Sequence, residues 1–139
     1  MNKQALKNSH IRVHTRHSAS PQTLHKDIAD ALLEWFSANQ RPLPWRTDYE
    51  PYKVWLSEIM LQQTQMERGA EYFKRWIKRF PNMKSVAEAK PEILLKYWEG
   101  LGYYSRVRNM QKAAQIVVAQ HGGQLPASRD SLLALPGIG

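Results

Sequence analysis

The chain has 139 residues, 42% of them hydrophobic, with 20 Lys and Arg against 12 Asp and Glu for a net charge of +8. That length fits one domain or part of a larger one, and that charge points toward a polyanionic partner. With no cysteine in the chain, disulfides, iron–sulfur ligation and thiolate zinc sites are excluded within it, and with no apolar run near the ~20 residues of a membrane span and no secretory segment, a soluble intracellular protein without a membrane partner is the default.

Residues 1–21 read as a disordered basic tail: they hold no acidic residue and no apolar period, and they end in Ser18-Ala19-Ser20-Pro21. His10, His14 and His17 would share a face if helical, but a tail offers a metal no fixed geometry, so no metal site is expected. Residues 22–139 form the folded part. From about 22 to 39 the apolar residues Leu24, Ile28, Ala31, Leu32, Trp35 and Phe36 recur at helical spacing. Arg41-Pro42-Leu43-Pro44-Trp45-Arg46 then breaks the helix with two prolines. A second helix follows Pro51. A third covers about 68–80, placing Tyr72, Phe73, Trp76, Ile77 and Phe80 on one face, and Pro81 stops it. Shorter helices fit Ser85–Ala89 and Pro91–Trp98, and Gly100-Leu101-Gly102-Tyr103-Tyr104 is a turn. Another helix spans about 105–120, burying Val107, Met110, Ala114, Val117 and Val118, and a last one lies near Ser128–Ala134. No period-two segment and no internal repeat stand out, so the fold class is all-α.

Two features carry chemistry. Glu58 lies in the most hydrophobic stretch, Val54-Trp55-Leu56-Ser57-Glu58-Ile59-Met60-Leu61. On a helix its neighbours one turn away are Val54, Trp55, Leu61 and Gln62, none of them cationic. A carboxylate against apolar groups without a partner charge has its ionised form disfavoured, which makes it a candidate general acid. The alternative is a glutamate pointing off the helix into solvent. The second feature is the ending, Leu135-Pro136-Gly137-Ile138-Gly139, which reads as the first half of a helix–hairpin–helix. Gly137 and Gly139 would let backbone amides approach a phosphate closely. Residues 68–112 add eleven Lys and Arg against four acidic residues, interleaved with aromatics.

Leu43-Pro44-Trp45-Arg46, Pro51 through Thr64, and Trp98-Glu99-Gly100-Leu101-Gly102-Tyr103-Tyr104-Ser105-Arg106 resemble the A/G-specific adenine DNA glycosylases, the MutY family. The resemblance covers about residues 24–139 and corresponds to the front of that family's catalytic domain, ending at the start of the helix–hairpin–helix. It implies an incomplete helix–hairpin–helix glycosylase fold. The implied function is that of a base-excision enzyme hydrolysing the N-glycosidic bond of adenine mispaired with 8-oxoguanine or guanine in double-stranded DNA. A monomer in a bacterial, nucleoid-associated cytoplasmic location is expected. By the same resemblance Glu58 is the catalytic acid protonating adenine N7, and Leu61 lines the base pocket. Arg41, Trp45 and Arg46 lie near the flipped base and its phosphates. Gln63 and Thr64 fill the vacated space and contact the opposite purine, and Leu101 with Tyr103 forms a wedge beside the damaged guanine.

Local roles stand beside these. Trp45 can be a core anchor, Gln63 and Thr64 exposed helix residues, one of Tyr103 and Tyr104 a core residue, and Arg106 and Arg108 either phosphate contacts or a solvated face. The family's second carboxylate, its four cluster cysteines and its C-terminal domain have no counterpart in this chain. No cofactor is therefore expected here, the family's [4Fe–4S] cluster falling to a missing C-terminal region. The isolated chain is expected to have little or no glycosylase activity, to be only marginally folded, and to leave the apolar face of residues 24–36 without its usual partner. The alternatives are an endonuclease III-like glycosylase, a non-catalytic basic DNA-binding fragment, and a truncated or split gene product with no independent role.

Overall fold

The computed structural model describes residues 20–139, so the histidine-bearing tail lies outside the described residues. The described part is helical, in two compact units that meet in sequence between Arg41 and Pro42. The first unit holds α1 (Pro21–Asn39). The Ser20 side chain accepts from Thr23 N–H and Pro21 occupies the first turn, where a missing N–H costs nothing. The helix therefore begins one residue inside the expected tail. Its apolar residues Leu24, Ile28, Leu32, Trp35 and Phe36 are all exposed, and none of α1 is buried.

The second unit runs from a 3-10 turn (Pro44–Arg46) through α2 (Pro51–Leu61), α3 (Met66–Arg79), α4 (Met83–Ala87), α5 (Pro91–Trp98), α6 (Ser105–Gln120) and α7 (Arg129–Leu133). Prolines open α2 and α5, and Glu50 caps α2 by accepting from Tyr52 N–H and Lys53 N–H. Asn82 and Ser85 form a reciprocal capping box that starts α4 two residues before the periodicity suggested. α2 packs on α3, while α4 and α5 lie on α6.

The core is aromatic at its centre. Trp76 and Trp98 meet edge to face at 5.6 Å, and Trp76 lies 4.7 Å from Phe80. The Tyr52 hydroxyl, buried between α2 and α3, donates to the Phe80 carbonyl at 2.7 Å and accepts from Trp76 Nε1 at 3.0 Å. This satisfies the carbonyl of Phe80, the C-cap of α3, one of the acceptors that a helix end otherwise leaves open. Burial pushes the Tyr52 phenol well above its ordinary pKa. Gln111, buried on α6, donates to the Ala89 carbonyl at 2.7 Å and so pins the α4–α5 connection. Val107, Met110, Ala114 and Val117 are buried as their spacing predicts, whereas Val118, expected with them, is only half-buried because it sits at the edge of that face next to Val117.

Candidate functional site

The C-terminal half of α2 and the segment from Leu125 to Gly139 face each other across an open cleft of about 740 Å³. Its walls are apolar, with Val54, Trp55 and Ile59 on α2 against Leu125, Leu132 and Ile138. Glu58 is the single carboxylate among the lining residues, and its side chain is exposed to the cleft mouth. Of the two sequence alternatives the structure shows the second, an exposed glutamate, and Val54, Trp55 and Ile59 beside it on α2 form an apolar wall. It forms no ion pair among the described residues. Ser57 beside it is fully buried and turns its hydroxyl back to the Val54 carbonyl at 2.7 Å. The Trp55 indole N–H is buried and has no acceptor.

Leu61 does not line this cleft. It turns toward α3, where its Cδ2 lies 2.6 Å from the position a Cβ on Gly69 would take. Gly69 is what lets α2 and α3 approach so closely, and the leucine fills that contact. Gly137 and Gly139 do line the cleft, so the hairpin turn and Glu58, read separately in the sequence, share one cavity. Gly137 has φ 83° and backs onto Asn109, whose Cβ would lie 3.1 Å from any added Cβ. Trp45 is buried with its ring edge to face with Phe73 at 5.3 Å, which makes it a core anchor. Arg46 is half-buried beside it, and Arg41 is exposed at the end of the first unit.

Beside the cleft stand two turns with strained backbone. Among the described residues three non-glycines have positive φ: Tyr49 at 49°, Gln63 at 56° and Tyr103 at 48°. Tyr49 lines the cleft. Gln63 is exposed, with Thr64 half-buried and its N–H bonded to the Leu61 carbonyl at 3.1 Å. Left-handed backbone costs a non-glycine residue roughly 1–2 kcal/mol, and such strain concentrates at functional sites. In the second turn Leu101 is 8% exposed while Tyr103 is 63% exposed. The apolar half of the expected wedge therefore belongs to the core, and Tyr103 alone projects. Tyr104 is exposed too, so neither tyrosine is a core residue.

Arg106 joins the two turns. Its Nη1 donates to the Ile59 and Gln62 carbonyls, both at 2.7 Å, and its Nη2 to those of Leu101 and Gly102 at 3.2 and 3.1 Å. The guanidinium sits over the Trp98 and Tyr103 rings at 5.2 and 5.7 Å. Desolvation lowers its pKa from the ordinary value. Arg106 thus holds the carbonyls just before both strained residues, Gln63 and Tyr103. It is neither the phosphate ligand nor the solvated residue that sequence reasoning allowed. Arg108 is exposed. Among the described residues no cluster of His, Cys, Asp or Glu could hold a metal ion, and no helix is long and apolar enough to cross a membrane.

Residues 56–135 match the family model for the HhH-GPD superfamily base excision DNA repair protein. The chain is 40% identical over 137 residues to the adenine DNA glycosylase of Mus musculus, covering 88% of this chain and 27% of that protein. It is 44% identical over 113 residues to the adenine DNA glycosylase of Buchnera aphidicola subsp. Acyrthosiphon pisum, covering 81% and 32%. It thus spans about a third or less of the length of these relatives. Among solved structures, a thermostable thymine-DNA glycosylase superposes with a TM-score of 0.75 at 23% identity, over 82% of this chain and 53% of that one. A trapped endonuclease III–DNA covalent intermediate superposes at 0.69 and 20% identity, over 87% and 56%. At these identities the solved structures speak for the fold alone.

Proposed function

The chain belongs to the HhH-GPD superfamily of base excision DNA repair proteins, and on that premise we propose that it carries the base pocket and acid of an adenine DNA glycosylase acting on duplex DNA with A:8-oxoguanine or A:G mispairs. The observation that carries this is a lone carboxylate, Glu58, rising from the apolar wall of a 740 Å³ cleft. That volume is in the range of small-molecule pockets and admits an extruded purine. Its relatives' names supply the adenine.

In this mechanism adenine leaves the base stack and enters the cleft between α2 and the hairpin turn. Closure of the base over the apolar wall excludes water from the space between Glu58 and the base. The Glu58 carboxyl gives its proton to N7, and the C1′–N9 bond breaks with its electron pair going to the base. Adenine departs neutral, and the deoxyribose is left with oxocarbenium character. Water adds at C1′ and gives its proton to the Glu58 carboxylate, which restores the acid and leaves an abasic site. Gln63 occupies the vacated stack with an amide that can both donate and accept. Tyr103 inserts beside the opposite purine, where unstacking costs a few kcal/mol. The cleft offers no second carboxylate for the oxocarbenium ion. The excision expected of this chain by itself is therefore slower by about 10²–10³ than with such a stabiliser in place. It supplies no thiolate for a cluster, and no step is assigned to one. A monomer acting where genomic DNA lies is the corresponding working form.

The test is a single-turnover assay on duplex with adenine opposite 8-oxoguanine, read with binding anisotropy. Glu58→Gln should abolish slow excision and leave mispair binding intact. Excision indifferent to that substitution sinks the assignment of the acid. Binding indifferent to the mispair, with no excision at all, leaves the second reading, a basic DNA-binding module favoured by the +8 charge.

A further inference from the structure

A second concave surface lies along the side of the unit, between the C-terminal half of α3 and α5. It has a volume of about 710 Å³ and is lined by Arg75, Lys78, Arg79 and Lys96 over Ile93 and Tyr97. All four cations are exposed. None forms an ion pair among the described residues, and the nearby Glu71 is engaged by Lys74 at 3.2 Å. The Arg75 guanidinium sits over the Tyr72 ring at 4.9 Å and Arg79 over Phe80 at 5.0 Å. Stacking of this kind restrains a guanidinium while leaving its N–H edges open to a phosphate.

We propose that this groove is a second DNA-backbone site, holding phosphates of the duplex flanking the lesion. The groove lining holds four cations and no carboxylate, and Glu71, Glu92 and Glu99 one turn away pair with none of them. The net positive charge repels itself in an idle surface, and an anion relieves that repulsion. Continuity selects DNA over an acidic protein segment. Arg68, Tyr72, Arg75 and Arg79 lie on one stripe of α3. At the near end of that stripe Arg68 donates to the Gly100 carbonyl at 2.5 Å and Tyr72 to that of Glu99 at 2.7 Å. The stripe therefore starts at the turn that carries Tyr103 and runs about 16 Å along the helix axis, long enough to follow roughly two to three successive phosphates of one strand. This inference rests on the proposed role of the Tyr103 turn and adds to it a track for the neighbouring backbone.

The test uses the 139-residue chain and a fluorescent duplex of about three helical turns with a central A:8-oxoguanine pair, titrated across a salt series. The triple variant Arg75→Ala, Arg79→Ala, Lys96→Ala should lower the magnitude of the log K against log[salt] slope by about 2–3, at about 0.9 per phosphate contact. Its mispair-to-matched affinity ratio should stay at the wild-type value. Because all three side chains are exposed the fold should persist, which circular dichroism checks, and Arg79→Ala alone should give a slope change of about 0.9. Lys74→Ala, whose charge Glu71 already balances, should leave the slope unchanged. An equal loss there, or an unchanged slope in the triple variant, overturns the proposal. Loss of polyglutamate binding with DNA binding intact overturns it in favour of an acidic partner. A wild-type chain that ignores the mispair refutes the glycosylase assignment, whereas the slope change judges the groove separately.

Discussion

Replacing Arg106 by Ala should uncouple the two strained turns and cost the unit much of its margin. Four backbone carbonyls lose a charged donor. Water can reach the exposed Gln62 carbonyl, but those of Ile59, Leu101 and Gly102 are bonded where the surroundings are partly buried. Each buried acceptor left unpaired costs about 1–3 kcal/mol, and partial hydration of the others brings the expected sum to about 2–4 kcal/mol. The contacts over Trp98 and Tyr103 add about 0.5–1 kcal/mol at such part-exposed positions. Gln63 and Tyr103 can then relax from left-handed backbone, releasing roughly 1–2 kcal/mol each that must be restored on binding. On the proposed function, the preference for an A:8-oxoguanine duplex over a matched one should accordingly fall by about tenfold for each 1.4 kcal/mol. Urea unfolding and binding anisotropy measure the two effects. Arg106→Lys keeps the charge but lacks the planar fork, so it should recover less than half of either. Arg106→Ala within about 0.5 kcal/mol of wild type, with an unchanged mispair ratio, or full rescue by lysine, would refute the reasoning.

Tyr52→Phe should destabilise by about 2–4 kcal/mol in urea unfolding, because the Phe80 carbonyl and the Trp76 indole N–H lose their shared partner together. The raised Tyr52 pKa also sets a pH dependence. A phenol with a raised folded pKa contributes fully below its unfolded value of about 10 and loses that contribution as pH climbs above it, at about 1.4 kcal/mol per unit. Stability followed above pH 10 should fall less steeply in Tyr52→Phe than in wild type. Gly100→Ala should weaken the unit by at least about 1 kcal/mol in the same assay. Its φ is +94°, and a Cβ there would lie 2.5 Å from the Tyr72 hydroxyl. Asp48 has its pKa lowered by the Lys53 ammonium at 2.5 Å and by the Glu50 N–H. A depressed carboxylate stabilises above its unfolded pKa of about 3.9 and loses this as pH drops through the folded value. Asp48→Asn should therefore flatten the acid limb of the unfolding curve slightly.

Helix positions were legible because each signal is local. Prolines at 51 and 91 open helices, Pro81 follows one, and the apolar spacing of residues 105–120 gives α6 its bounds and its buried face. The apolar flanks of Glu58 were legible for the same reason, since Val54 and Trp55 are one turn away in sequence and line the same cleft. Trp45 could not be settled that way, because burial against Phe73 is a long-range packing outcome. Leu61 and Leu101 were assigned to pocket and wedge, yet both pack into the protein. An apolar side chain carries no mark of which apolar surface it will meet.

By itself the sequence determined the all-α class, the element order, the basic charge, a carboxylate among apolar helix neighbours and, separately, a glycine turn near residue 137. Each depends on chemistry within a few residues. Only the tertiary structure decided that Gly137 and Glu58 share one cleft. It alone placed Arg106 across 44 and 47 residues of chain to hold the carbonyls of Gln62 and Ile59. It also gathered Arg75, Arg79 and Lys96 around one groove. The reason is physical: periodicity fixes which face of a helix a residue occupies, whereas the distance between two faces is fixed by how side chains such as Leu61 and Gly69 interlock.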